Sequence, residues 1–375
     1  MTQHDVPSSR IVSLDQFRGY TVFGMFVVNF VGGFAVTPLV LKHHHTYCSY
    51  ADTIMPQFLF AVGFAYRLTL LRRLESGDRT EAYGKVVRRN LGLLLLAFVI
   101  YPLGDGFQTW SELGTANLHD VLISEFKRNL FQTLTHIAVT SLWVLPVITA
   151  GAAVRVAFAV ASGLLHFGLS YWFNYEWVNT SPNGIDGGPL GFLTWTIPLL
   201  AGSLAYDVVR SRSALAAFRW CFSRGVALML LAYALSSLHL SPMGHGETSE
   251  RLTFSLAEPP LVYVDKKPPD GNLFTMSQRS GSITYLIFGA GLSLAVYALF
   301  IVLCDIGGHQ LGVFLTLGVN ALAGYIIHGF VDTAVSPFVP RDVPPMMLVA
   351  ATVAYLSTCW VFLRYLEKNR LFFRL

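Results

Sequence analysis

Apolar runs close to twenty residues long recur along this chain, and their recurrence leaves it few possible folds. A run of that length matches the hydrocarbon core of a bilayer. In lipid each span must satisfy its own backbone polar groups, so a chain with many such runs is expected to be helical. Composition agrees: of 375 residues, 53% are hydrophobic and only 13% charged, where a soluble domain carries about 25% charged residues. The expected fold class is all-α, a polytopic integral membrane protein with about ten transmembrane helices. The runs fall near 17–40, 53–74, 88–104, 130–149, 153–173, 189–208, 222–240, 283–304, 311–331 and 346–365. The fifth fits least well, because His166 lies inside it and Trp172, Asn174 and Glu176 follow closely.

The whole of 1–375 reads as one transmembrane domain. Residues 10–240 form an N-terminal part, 241–281 a long extracytoplasmic loop, and 282–375 a C-terminal three-helix part. The 105–128 segment is mixed in charge and predicts a short surface helix. The 241–281 loop carries Pro259, Pro260, Pro268 and Pro269, and reads equally as a binding element or as a disordered connector.

The net charge of +4 is dispersed and makes no nucleic-acid patch. Its distribution over the loops is more informative. With the N-terminus inside, seventeen Lys and Arg fall on the inner side and eight on the outer, with Arg67 within a span. That excess predicts both termini in the cytoplasm, which for a bacterium means the inner membrane. Four scattered cysteines support neither a disulfide framework nor a zinc site. The first apolar run lacks a small-residue cleavage site and reads as a retained helix.

Polar groups inside spans are costly and tend to mark functional pathways, and here they concentrate between Arg10 and Gly63. Asp15, Arg18, Val22, Met25 and Asn29 follow helical spacing and predict one face, with Asp15 and Arg18 able to pair. That face is equally served by a helix-end cap and an interhelical hydrogen bond. His43, His44 and His45 follow at the outer boundary, where imidazole suits proton transfer or acyl carriage; an interfacial polar loop is the simpler alternative. Consecutive histidines without nearby carboxylate or cysteine partners fit a metal site poorly, so no metal is expected. Asp52 opens the second helix, as its cap or as the carboxylate orienting a histidine. Gly63 and its neighbouring aromatics read as helix packing. Arg72, Arg73, Arg88 and Arg89 flank a short cytoplasmic loop before the third run; topology explains them, and phosphate binding by one or two of them is the added possibility. Asn320, Tyr325, His328 and Asp332 are spaced to lie close to one face of the ninth run.

These residues resemble a known family. SLDQFRG at 13–19 with Val28-Asn29 is similar to the SLDxFRG…VN signature of the heparan-α-glucosaminide N-acetyltransferase family, which includes many bacterial transmembrane acyltransferases. A histidine in the first outer loop, a D-x3-P-x-FLF-x2-G element from Asp52 to Gly63, and Arg88-Arg89 extend the likeness. RNLFQTLTHIA at 128–138, LGFLTWTIPLLAG at 190–202 and LGVNALAGYIIHG at 317–329 are looser matches. Departures occur where Thr135 and His136 replace a family glutamine and arginine, and where an Asn-Lys pair is lost near 277–279.

The resemblance implies acyl transfer from cytosolic acetyl-CoA (acyl-CoA), as co-substrate, to an extracytoplasmic amino sugar or glycan acceptor, with a histidine and an asparagine at the reaction centre. Asn29 matches the asparagine. Counting forward from Asn29 selects His43; counting back from Asp52 admits His44, or Lys42. The expected catalytic set is therefore His43, His44, Asn29 and Asp52, and the expected acyl-CoA contacts are Asp15, Arg18, Arg88 and Arg89. The expected partners are acyl-CoA, the glycan or amino-sugar acceptor and membrane lipid, with a homodimer as one option and no nucleic acid. A polar-solute transporter and a non-catalytic membrane protein of the same fold are the rival readings; the chain shows no repeated halves of the kind many transporters are built from.

Overall fold

The computed structural model describes residues 11–101, 109–244, 252–262 and 271–373. Arg10, Arg251, Lys266, Lys267 and Arg374, all counted above for orientation, lie outside the described residues. So do Pro268, Pro269 and parts of the 105–128 and 241–281 segments.

The chain is built almost entirely of helices. In order they are α1 (Val12–Val31), α2 (Tyr50–Ser76), α3 (Arg79–Ile100), α4 (Trp110–Thr115), α5 (Leu118–Ser124), α6 (Thr133–Trp143), α7 (Ala152–Leu169), α8 (Tyr175–Asn179), α9 (Phe192–Ser211), α10 (Ala214–Ser236), α11 (Ile283–Phe300), α12 (Gly312–Val319), α13 (Ala321–Val335) and α14 (Pro345–Lys368). Among the described residues the strands are one two-residue antiparallel pair, β1 (Leu238–His239) with β2 (Thr253–Phe254). Among the described residues six helical stretches are long and apolar enough to cross a membrane, or seven if α12 and α13 count as one broken span.

Several expected boundaries move, each for a local reason. The first helix covers Val12–Val31 and not 17–40, because Gly32-Gly33 and Pro38 follow and 32–41 is taken up by turns and a short 3₁₀ segment. The third starts at Arg79, capped by Asp78, whose carboxylate accepts from Thr80 N at 2.9 Å. The fourth run gives only the eleven-residue α6 before the chain turns at Val144, too short to span a bilayer by itself. The fifth run, despite His166, extends through a π-helical turn at Ser170–Asn174 into α8, a stretch of 28 residues. The 105–128 segment holds two short helices, α4 and α5, in its described part.

The ninth run departs furthest from expectation. It is broken at Asn320, and α12 and α13 meet at 96°. Asn320 therefore stands at a corner and does not share a helical face with Tyr325, His328 and Asp332, which follow on α13.

Close packing accounts for much of the SLDQFRG run. Ser13 Oγ lies 3.1 Å from Tyr297 Oη. Gln16 clamps Leu311 twice, donating from Nε2 to its carbonyl at 3.1 Å and accepting its N–H at 3.0 Å. Phe17 meets Phe60, Tyr297 and Phe300 edge-on. A Cβ on Gly19 would sit 1.8 Å from the Phe314 carbonyl oxygen, so α1 and α12 approach at a distance only glycine permits. Gly63 does the same against Leu199 at the α2–α9 crossing, as expected of a packing residue.

A buried ion-pair cluster ties α2, α7 and α9 together. Asp207 accepts from Arg67 Nε at 2.6 Å and from Arg155 Nη2. Arg155 also donates to Ser203 Oγ and the Ala150 carbonyl, and Arg67 to the Ile148 and Ala150 carbonyls. Replacing Asp207 by alanine leaves two guanidinium groups without their carboxylate. The expected loss of stability is about 3 kcal/mol, the lower end for a broken buried pair, because Asp207 is itself 33% exposed. Thermal unfolding in detergent, with Arg210→Ala as a surface control, would measure it.

Candidate functional site

Two features stand out along α2. The first is built around Asp52. Ser49 caps α2 in a reciprocal capping box: Ser49 Oγ accepts from Asp52 N at 3.3 Å, while Asp52 Oδ2 accepts from Ser49 N at 3.0 Å and Ser49 Oγ at 2.9 Å. Both readings of Asp52 made from sequence are thus compatible, since its second oxygen does something else. Oδ1 accepts from His43 Nδ1 at 2.8 Å. Asp52 is 1% exposed, whereas the His43 side chain is 43% exposed. With Nδ1 donating, Nε2 carries the free lone pair, the tautomer a general base needs.

His44 is arranged differently. Its backbone N–H reaches Asp52 Oδ2 at 3.3 Å and its ring Nε2 lies 3.0 Å from the Leu39 carbonyl. Of the two candidates, His43 is the one whose ring meets the carboxylate.

Asp186 completes this end and was missed from sequence. It lies in Asn183-Gly184-Ile185-Asp186-Gly187-Gly188, which reads as turn chemistry, and its backbone is left-handed with φ 54°, a conformation aspartate tolerates. The side chain is buried and accepts from Gln278 Nε2 at 3.0 Å. Burial pushes its carboxyl up to about 7, with Gln278 and His43 pulling the other way. Burial depresses His43, yet the hydrogen bond and charge of Asp52, with Asp186 adding, carry it above its ordinary 6.5. His45 is held down to about 4 by burial and by Arg279.

The described parts of 241–281 dock onto this end. Leu261 N donates to the Cys48 carbonyl at 2.9 Å, and Gly187 N to the Arg279 carbonyl at 2.9 Å. Tyr285 Oη donates to the Asp52 carbonyl at 2.6 Å.

The second feature is a cavity of about 580 Å³ between α1, α2, α3, α6 and the α12–α13 corner. Asp15, Arg18, Arg73 and Arg89 line one end, and Phe58, Leu134, Leu322 and Tyr325 line the rest with other apolar groups. On α2 its lining runs from Arg73 to Phe58, about 22 Å at about 1.5 Å per residue. Six more residues reach Asp52, about 9 Å further along the helix. The cavity is therefore basic at one end and leads toward the His43–Asp52 pair at the other.

Three of the four expected acyl-CoA contacts line this cavity: Asp15, Arg18 and Arg89. Arg88 is exposed on α3 and does not line it. Arg73, which flanks the same loop at the end of α2, does. Asn29 is exposed, and its Nδ2 donates to His328 Nε2 at 3.2 Å, while His328 Nδ1 donates to the Tyr325 carbonyl at 2.6 Å. The structure thus joins Asn29 to α13 and places no hydrogen bond between it and His43. Among the described residues no three His, Cys, Asp or Glu side chains group as a metal site. Compared with models of known protein families and with curated proteins, the chain matches none.

Proposed function

We propose that this protein is a transmembrane acyltransferase that moves an acetyl or other acyl group from cytosolic acyl-CoA to an extracytoplasmic amino sugar or glycan. The observation that carries this reading is the cavity with a basic end and an apolar length leading toward a carboxylate-held histidine. Phosphates would pair with Arg18, Arg73 and Arg89, and the pantetheine arm would follow the apolar lining along α2. In this reading α1, α3 and the 130–149 run, where turns at 144–149 continue α6, complete about ten membrane-crossing segments, both termini are cytoplasmic, and the membrane is the bacterial inner membrane.

His43 Nε2 takes the proton of the acceptor amine or hydroxyl as that group attacks the thioester carbon, or carries the acyl group between donor and acceptor. Asp52 holds the ring and balances the imidazolium. Asn29 lies on the outward side of Tyr325 through its bond to His328, where it would position the acceptor or hydrogen-bond the transferring group. Incubating purified protein with radiolabelled acetyl-CoA and a panel of amino sugars tests the function. Labelled product and released CoA are expected; the absence of both donor binding and CoA release would refute it. Label trapped on the enzyme without acceptor, and absent in His43→Ala, would select the acyl-histidine route.

The broken α12–α13 helix favours a second reading, since unwound corners at a cavity are common in transporters of polar solutes. Uptake of a charged solute by proteoliposomes, with no consumption of acyl-CoA, would favour it.

A further inference from the structure

The acyl-transfer reading gives no role to the cavity-lining hydroxyl of Tyr325. Tyr325 lies on α13 with its ring in the cavity wall. α13 runs beside α1: a Cβ on Gly324 would touch Val22 and Phe26, and His328 stacks on Phe26 and bonds Asn29. Asp15 and Arg18 are therefore at one end of the cavity and Tyr325 is further along α1, toward Asn29.

The hydrogen bonds around Tyr325 give its hydroxyl a direction. Tyr101 Oη lies 2.8 Å from Tyr325 Oη, and Tyr101 Oη already accepts from Leu134 N at 2.8 Å. Among the described residues the acceptor for the Tyr101 proton is then the Tyr325 oxygen. An oxygen that accepts in this way has its own proton left to donate, and the remaining side is the cavity.

We propose that Tyr325 donates a hydrogen bond to the carbonyl oxygen of the bound acyl thioester, with Tyr101 as the positioning residue that fixes its orientation; this rests on the acyl-transfer reading above. As the acceptor nitrogen forms its bond to the carbonyl carbon, negative charge gathers on the carbonyl oxygen and is met by the Tyr325 O–H. His43 takes the nitrogen's proton. When the intermediate collapses the C–S bond breaks, and the CoA thiolate takes up the proton that His43 had accepted, leaving as the thiol and returning the imidazole to its neutral form. No net oxidation occurs. A donor aimed at that oxygen acts mainly in the transition state, so its removal lowers kcat and leaves donor binding intact.

The test measures acetyl transfer and acetyl-CoA binding for Tyr325→Phe, Tyr101→Phe and the double variant, with melting temperature as the fold control. Tyr325→Phe is expected to lower kcat about 100-fold with the Kd for acetyl-CoA within about twofold. Tyr101→Phe is expected to lower kcat about tenfold, and the double variant to be no worse than Tyr325→Phe alone, because both act on one hydrogen bond. Retained kcat in Tyr325→Phe, or a fall matched by equal loss of donor affinity, would overturn the assignment. If Tyr325→Phe does not fold, Tyr101→Phe decides: a kcat fall at unchanged Kd supports the proposal, and no fall overturns it. Wild-type protein that neither binds nor consumes acetyl-CoA would overturn the function itself, a result visible before any variant is made.

Discussion

His43→Ala is expected to lower acyl transfer about 100-fold or more, the range for loss of a general base, while acetyl-CoA binding is kept. The pH profile is the sharper readout. Transfer needs neutral Nε2, and Asp52 and Asp186 hold His43 above 6.5 against the pull of burial, so wild-type activity should rise with pH along an acid limb above that value. Asp52→Asn removes the first of those supports and leaves burial. Its acid limb should therefore move to lower pH even as the rate falls. A limb that stays where it is in Asp52→Asn would detach Asp52 from the chemistry. Stability runs in the opposite sense. The His43–Asp52 pair stabilises fully below 6.5 and its contribution fades as pH rises through the raised value. Asp186 adds to that trend, because between 3.8 and about 7 the folded chain holds a proton that the unfolded chain has lost, and this preference is used up as pH rises. The protein should lose stability while it gains activity across this window, measurable by thermal unfolding beside initial rates. His44→Ala removes a ring anchored to the Leu39 carbonyl and should cost far less activity than His43→Ala.

The arginines give the second large effect. Arg18→Ala combined with Arg89→Ala is expected to weaken acetyl-CoA binding by more than about tenfold, since hydrogen bonds to charged groups contribute about 1.5–3 kcal/mol each. Arg88→Ala, one residue away on the exposed face of α3, should leave affinity within about twofold. Added salt should weaken wild-type binding more than binding by the double variant. Titration calorimetry with acetyl-CoA separates the outcomes. Equal losses in Arg88→Ala and Arg89→Ala would mean that the cavity is not the donor site. Arg73→Ala should behave as Arg18→Ala does, although in sequence it is indistinguishable from the other charges of the 72–89 segment.

The contrast between Arg88 and Arg89 shows where sequence stops. Both are basic and both flank the same apolar run, and helical rotation of about 100° per residue puts one in the cavity and the other outside it. Asp186 is a similar case. Its neighbours mark a turn, and only the docking of 277–281 and Gln278 against that turn buries it beside His43. Asn29 lies on α1, as its spacing predicts, but its partner is His328, 299 residues away, a pairing that helix period cannot supply. The break at Asn320 was invisible because Leu317–Leu322 is apolar on both sides, and hydropathy does not register a bend.

What the sequence determined by itself was the helical membrane class, the positions of most apolar helices, and the concentration of polar groups between Asp15 and Asp52. Those are properties of local composition and period, and lipid enforces them span by span. The tertiary structure alone decided which charges share a cavity, that His43 and not His44 meets Asp52 by its ring, that Tyr325 lines the cavity, and that Asp186 is buried against Gln278. Each of these depends on how separate helices rotate and cross, and that is settled by close packing at sites such as Gly19 and Gly63, where backbones touch and no side chain could fit.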